Sequence, residues 1–275
     1  MGIELIRKLP YDHPYRWDGS LFGGPKLWQP SDITTSAWYD AYREDTVLES
    51  GGAVYQWNDR SGNGQNLVQA TGSKQPTSGT RSINGLNTLD FSNDVLSGAL
   101  TNSIDDCSVI AVFQPDGVAA SYIYANAGLG GSKSRNYLLE NGIDFGNASL
   151  SFTGSTDAKI VFGYVTDTGD GSTQGYRING GDATTGSVDR GVTNQAIHIG
   201  DYNDIGGTSP YNGIIGEVLV FNSVLGDSDR QKIEGYLAHK WGLEANLPAL
   251  HPYKGFPPIT NSGNFHDTTF HTGLR

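Results

Sequence analysis

Apolar positions in this chain fall into short runs, separated roughly every ten residues by Gly, Asn or Asp, the spacing of many short strands rather than of helices. Runs with strand character are Ala53–Trp57, Thr88–Phe91, Ser108–Gln114, Ser121–Ala125, Tyr137–Glu140, Ser149–Thr153, Lys159–Thr166, Gly175–Ile178, Ala196–Ile199 and Ile214–Phe221. Asn84-Gly85, Asn141-Gly142, Asp170-Gly171 and Asn179-Gly180 are pairs suited to hairpin turns, because both residue types tolerate positive φ. The run Trp38–Tyr42 reads as a short helical turn.

One segment has a different period. From residue 211 to 243, YNGIIGEVLVFNSVLGDSDRQKIEGYLAHKWGL, a β-branched strand is followed by an amphipathic helix. Ile233, Leu237 and Trp241 recur at four-residue steps with Tyr236 beside them, which makes one face apolar. Gly226 and Asp227 mark its start, Asp229 suits its first turn, and Gly242 its stop. Glu217 interrupts the apolar strand, and alternation places it on one face with Ile215, Leu219 and Phe221. A carboxylate there needs donors, and Arg230, Lys240 or backbone N–H groups are the candidates. The pattern predicts an acid that ties the helix to the sheet, with Trp241 anchoring the same contact.

Composition sharpens this picture. The chain has 275 residues, 38 of them Gly, and only 17% are charged, as expected of one large turn-rich all-β domain. Its net charge of −11 and lack of a basic run argue against nucleic-acid binding. The lone Cys107 lies in the strand-like run CSVIAVF and reads as a buried thiol. The N-terminal sequence shows no apolar signal core and no run is long enough to span a bilayer, so synthesis in a cytoplasm without membrane insertion is expected. Residues 1–30 interleave Pro and Gly with Tyr11, Tyr15, Trp17, Phe22 and Trp28; residues 249–275 begin with Tyr253 and Phe256 among prolines. Both stretches are too aromatic for solvated linkers and are expected to be extended docking arms flanking a domain at 31–248.

Two blocks carry a resemblance. The first is Trp57-Asn58-Asp59-Arg60-Ser61-Gly62-Asn63-Gly64, preceded by SAWYDA and followed by Gln75-Pro76 and Asn84-Gly85-Leu86. The second runs from Asn212-Gly213 through the helix to Leu247-Pro248 and His251-Pro252-Tyr253. Together they resemble the laminin-G-like, concanavalin A-like jelly rolls of phage structural and bacterial surface proteins. The resemblance implies an all-β sandwich of two antiparallel sheets with one C-terminal helix. It also implies carbohydrate binding, adhesion or virion decoration, and in distant relatives glycan cleavage. The first block has its own reading as a fixed loop packed by Trp57, in which Asp59 and Ser61 bond nearby backbone and Gly62 and Gly64 permit positive φ.

Catalytic patterns are missing. Related glucanases place carboxylates as Glu-x-Asp-x-Glu on one strand, and no such triplet occurs. Gln195 and His198 are three residues apart, which puts them on opposite faces of a strand. The expectation is therefore a non-enzymatic virion protein, on a capsid or tail. It would dock other virion subunits through its arms, self-associate (a trimer suits symmetric attachment) and display a jelly roll toward host-surface glycans. The alternatives are a free lectin-like module and, behind it, a glycoside hydrolase or polysaccharide lyase. Tyr122, Tyr124, Tyr137, Tyr176, Tyr202 and Tyr211 lie near strands or loops as candidate glycan-stacking residues, with Tyr202, Tyr211 and Tyr176 the ones selected. Asp201, Asn203 and Asp204 in GDYNDIGG are candidate oxygen ligands for calcium, with no other cofactor expected.

Overall fold

The computed structural model describes residues 26–99, 106–127, 133, 135–168, 170–191, 196–202 and 209–260. Its strands are β1 (Lys26–Leu27), β2 (Ala37–Asp40), β3 (Val47–Ser50), β4 (Ala53–Trp57), β5 (Leu67–Val68), β6 (Thr77–Ile83) and β7 (Leu86–Ser92). They continue as β8 (Leu96–Gly98), β9 (Cys107–Pro115), β10 (Tyr122–Ala127), β11 (Arg135–Leu139), β12 (Gly142–Asp144) and β13 (Ser149–Ser151). The last are β14 (Lys159–Thr166), β15 (Ser172–Ile178), β16 (Thr184–Val188), β17 (Ile197–Ile199), β18 (Asn212–Phe221) and β19 (Ile259–Thr260). Among the described residues one α-helix, α1 (Asp227–Trp241), follows β18. It is not long and apolar enough to cross a membrane.

Seventeen strands form one antiparallel sheet. One ladder runs β16–β15–β14–β9–β18 and continues from β18 onto β2 and onto β7 and β6. A second runs β13–β12–β11–β10–β17–β8–β5–β4–β3. The bridge Ala53↔Thr77 between β4 and β6 joins them. Val109, Ala111, Val161 and Val218 of the first ladder share a core with Leu138, Tyr124, Ile199 and Leu96 of the second. The sheet is thus folded over on itself and nearly closed, where the sequence led us to expect two separate sheets.

The helix covers the other face of the first ladder. Ile233, Tyr236, Leu237 and Trp241 pack on Ile110, Val112, Phe162 and Leu219. Strand β9 is consequently buried on both faces, which explains its unbroken apolar run. Gly226 caps the helix start in extended conformation and Gly242 ends it at φ 70°, as the sequence indicated. Asn84-Gly85 and Asn179-Gly180 both have positive φ at each residue, the geometry of tight hairpin turns.

Two local readings are corrected. Residues 37–40 form a strand, not part of a helical turn: Trp38 lies opposite Leu219 and Tyr39 opposite Val218 on β18. The strand is buried throughout, so it shows neither period. The second concerns β18, whose register against β9 shifts between Ile215 and Glu217. This bulge separates Ile215, which joins the inner core, from Leu219 and Phe221, which face the helix. Glu217 goes with the helix side.

The ends of the described chain meet. Lys26 pairs with Thr260 and Leu27 with Ile259 in an antiparallel ribbon, extended by Trp28 N–H donating to Pro258 O at 3.0 Å.

Candidate functional site

Among the described residues, two clusters of carboxylate, aromatic ring and cation lie one on each face of the folded-over sheet. Under the helix, Glu217 is fully buried and receives four donors. Trp38 Nε1 and Tyr236 Oη donate to Oε1 at 2.7 and 3.1 Å; Lys240 Nζ and Trp241 Nε1 donate to Oε2 at 2.8 and 2.9 Å. Lys240 also meets Asp40 at 2.7 Å, and Asp40 pairs with Arg60. Burial and the neighbouring Asp40 raise the Glu217 pKa above the ordinary glutamate value. Every lone-pair direction is occupied and neither acid reaches solvent, so the cluster fastens helix to sheet, as the sequence suggested. Lys240 is the cation that does it; Arg230 instead pairs with Glu234 and Asp227.

The second place is the face of the second ladder that points away from the shared core. Residues opposed across antiparallel strands lie on the same face. Asp144, Tyr137, Ala125, His198, Ser97, Val68 and Gln56 oppose one another in turn and form one row across β12, β11, β10, β17, β8, β5 and β4. Their sequence neighbours Leu138, Tyr124 and Ile199 point into the core. His198 Nδ1 and Ser97 Oγ are 2.8 Å apart, and Val68 is 50% exposed.

At one end of the row three tyrosines cluster. Tyr122 packs edge-on to Tyr137 at 4.9 Å and tilted to Tyr202 at 5.4 Å between ring centroids. A register shift between Tyr122 and Tyr124 sets Tyr122 opposite Leu139 and Tyr124 opposite Leu138, so the two tyrosines take opposite faces of β10. Arg135 lies over the Tyr137 ring at 5.6 Å and grips Asp144 with two bonds, Nε to Oδ1 at 3.0 Å and Nη2 to Oδ2 at 2.8 Å. Ser149 Oγ adds a third at 3.0 Å. Burial pushes the Tyr137 hydroxyl up to about 12 and raises Tyr122. It also holds the Asp144 carboxyl above the ordinary aspartate value, against the pull of Arg135. Tyr122 and Tyr202 are half-buried, offering ring edges to solvent over a deeper Tyr137.

Of the three tyrosines selected from the sequence, Tyr202 belongs to this cluster, beside the further candidates Tyr122 and Tyr137. Tyr211 is buried between Phe91 and Phe113 and donates to Ile214 O at 3.2 Å, so no sugar can stack on it. Tyr176 is turned to Phe152 and donates to Ser151 O at 3.2 Å, closing that ring too. Asp201 is buried and accepts from the Tyr202 N–H at 2.7 Å. Asn203 and Asp204 lie outside the described residues. Among those described, no group of three or more His, Cys, Asp or Glu is placed to hold a metal. Asp59 is committed to its loop: it accepts from Trp38 N, Ser61 N, Ser61 Oγ and Gln65 N, and Asn63 donates to Thr35 O and Ser36 O. That block is a structural turn.

Tyr11, Tyr15, Trp17 and Phe22 also lie outside the described residues. Trp28 belongs to the domain rather than to a free arm: it is buried, edge-on to Tyr236 at 6.3 Å, because the ribbon lays it over the helix. Tyr253 is half-buried, against Gly235 of the helix. Phe256 is 68% exposed. The sequence offered Tyr122 and Tyr137 singly but not their grouping with Arg135 and Asp144, because only the register of three strands brings the four together.

No protein-family model matches the sequence, and no curated protein matches it. Solved structures do match. Domain 4 of AbnA, a GH43 extracellular arabinanase from Geobacillus stearothermophilus solved with arabinotriose, is 13% identical with TM-score 0.51, over 71% of this chain and 95% of that one. Trypanosoma rangeli sialidase with sialic acid is 11% identical with TM-score 0.48, over 77% of this chain and 34% of the sialidase, so the chain spans about a third of it. The CBM40 of Ruminococcus gnavus IT-sialidase, bound to α2,3-sialyllactose, is 14% identical with TM-score 0.34, over 46% and 80%. The arabinanase domain supports a shared β-rich fold; the laminin-G resemblance gains no narrower support. The expectation of a non-enzymatic protein is corrected: the arabinanase domain that shares the fold is part of an enzyme, so this fold does not set the chain apart from catalytic proteins.

Proposed function

We propose that the protein binds glycans through the outward row of the second ladder, centred on Tyr122, Tyr137 and Tyr202. The observation that carries this reading is the tyrosine cluster beside the bidentate Arg135–Asp144 pair. Ring faces and edges offer apolar platforms to pyranose C–H groups, while a fixed carboxylate and guanidinium accept from and donate to hydroxyls, the mix of apolar lining and few oriented polar groups that small-ligand sites use. The arabinotriose in the matched arabinanase domain is consistent with this reading. A concanavalin A-like jelly roll, its two layers joined at one edge, is the finer description of the fold that we favour. Glycan-array binding followed by calorimetry tests the site. Tyr202→Ala together with Tyr122→Ala should abolish binding while leaving the unfolding midpoint nearly unchanged; full binding by the double variant would refute the site.

A virion setting is also proposed, with the terminal arms docking neighbouring subunits and the domain self-associating as a trimer. It is supported by the aromatic, proline-rich composition of the arms and by the exposure of Phe256 next to the terminal ribbon. Deleting residues 1–25 should leave the domain folded but block its incorporation into particles; normal incorporation would end this proposal.

A further inference from the structure

Beneath the helix, two carboxylates and an amine meet out of water. The register of β2 against β18 sets Asp40 opposite Glu217, and the bulge between Ile215 and Glu217 turns Glu217 toward α1. Gly216 has no side chain, so the Trp241 ring settles on it and brings the last helical turn down with Lys240. Lys240 Nζ therefore touches two acids at once, Asp40 Oδ2 at 2.7 Å and Glu217 Oε2 at 2.8 Å. None of the three side chains is more than 3% exposed. Arg60 also donates to Asp40 Oδ2, and the Tyr42 N–H donates to Oδ1 at 3.2 Å. The rings of Trp241, Tyr236 and Tyr42 lie 5.2, 5.5 and 5.9 Å from Nζ and close the site to solvent.

What separates this contact from an ordinary ion pair is the second carboxylate on the same amine and the dry setting. We infer that Asp40 and Lys240 condense to an isopeptide bond, with Glu217 carrying the proton. The contact to Oδ2 places the Asp40 carboxyl carbon one bond further on, near the ~3–3.5 Å of a near-attack geometry. Out of water a neutral acid and a neutral amine gain on the ion pair, so one proton passes from Nζ to Asp40. The Nζ lone pair then attacks Cγ, and the negative charge that develops on a carboxyl oxygen is stabilised by Arg60. Glu217 Oε2 takes a second proton from Nζ and hands it to the hydroxyl oxygen; the C–O bond breaks and water leaves. One ammonium and one carboxylate become one amide and one water, Glu217 returns as it began, and no other reactant is consumed. Burial and the neighbouring Asp40 hold the Glu217 pKa above the ordinary value, which suits a group that must keep that proton in passing. Asp40 ends β2 and Lys240 lies in the last turn of α1, so the bond closes a covalent ring around β3–β18.

Mass spectrometry of the full chain, folded and then denatured, tests this. The wild type should be lighter than its sequence by one water, and a protease digest should yield a branched peptide joining Asp40 to Lys240. Lys240→Arg should keep its full sequence mass. Glu217→Gln should slow closure at least about a hundredfold, followed by mass after cell-free synthesis. Both variants are read on chains with the wild-type circular dichroism spectrum, and the wild-type mass and branched peptide need no variant. A wild type that keeps its full sequence mass after prolonged folding would overturn the inference. So would a lost water that maps to an imide at Asp170-Gly171 while residues 40 and 240 stay unlinked. Closure of Glu217→Gln at the wild-type rate would overturn the part given to Glu217. All of these results are independent of the tyrosine cluster, which lies on other strands.

Discussion

Glu217 and Asp144 are built from similar parts: a carboxylate on a strand, aromatic neighbours and one basic side chain. They end in opposite conditions. Glu217 has a helix over it, four donors on two oxygens, and a neighbouring acid that shares its lysine. Among the described residues no helix covers Asp144; Arg135 and Ser149 hold it from within its own face, and half-buried rings border it. The difference is saturation. A carboxylate whose donors all come from elements that pack together acts as a fastener, whereas one held from the side by a part-exposed arginine leaves that arginine within reach of a ligand.

The comparison breaks most visibly if Glu217 is truncated. Glu217→Ala leaves Lys240 buried beside Asp40 alone and two indole N–H groups without an acceptor, so the loss should be about 3–5 kcal/mol, read from denaturant unfolding. Asp144→Ala takes the partner from a half-buried Arg135 that can still reach water, and should cost about 1–3 kcal/mol by the same measurement, less than Glu217→Ala. Equal losses would mean that the two sites are not the opposites described. Next comes the contact beneath the helix. A Cβ on Gly216 would sit 2.8 Å from the Trp241 ring, so Gly216→Ala should lift the helix end at about 1–3 kcal/mol. Smaller in energy is Tyr202→Ala alone, expected to weaken glycan binding about tenfold, near 1.4 kcal/mol, without shifting the unfolding midpoint.

The smallest effect is the sharpest. The folded Asp144 carboxyl titrates above its ordinary value of 3.8, burial being the main cause. Its ionisation therefore opposes folding: the contribution to stability is full below the unfolded pKa and is lost as pH rises through the folded one. Glycan affinity, which uses the anion, should move the other way and fall on acidification through the same folded pKa. Asp144→Asn should flatten both trends. Parallel movement of affinity and stability would show that Asp144 does not touch the ligand.

How far the sequence revealed this depended on locality. The helix, its caps and the Glu217–Lys240 tie lie within one stretch, and a charge inside an apolar run announces that a donor must be near. Even there the bulge at Gly216 was hidden, so Ile215 was assigned to the wrong face. The tyrosine cluster needed register. Asn141-Gly142 marked the hairpin, but the two-residue loop is Glu140-Asn141, with Leu139 opposite Gly142, and a slip of one residue would have parted Tyr137 from Asp144. Tyr122 and Tyr124 would share a face of a regular strand, and the shift between them put one outside and one in the core. Tyr211 looked as suitable as Tyr202, because an aromatic near a strand end carries no mark of which way the fold turns it.

The ribbon of β1 and β19 bears on how the molecule carries load. Lys26 faces Thr260 while Leu27 faces Ile259, so tension applied at residues 26 and 260 would open the clasp one rung at a time, like a zipper, instead of shearing both rungs together. Resistance would pass next to Trp28, wedged against Tyr236. A domain pulled by both ends would thus yield at its hem, at low force, long before the long ladder of β9 and β18 felt the strain.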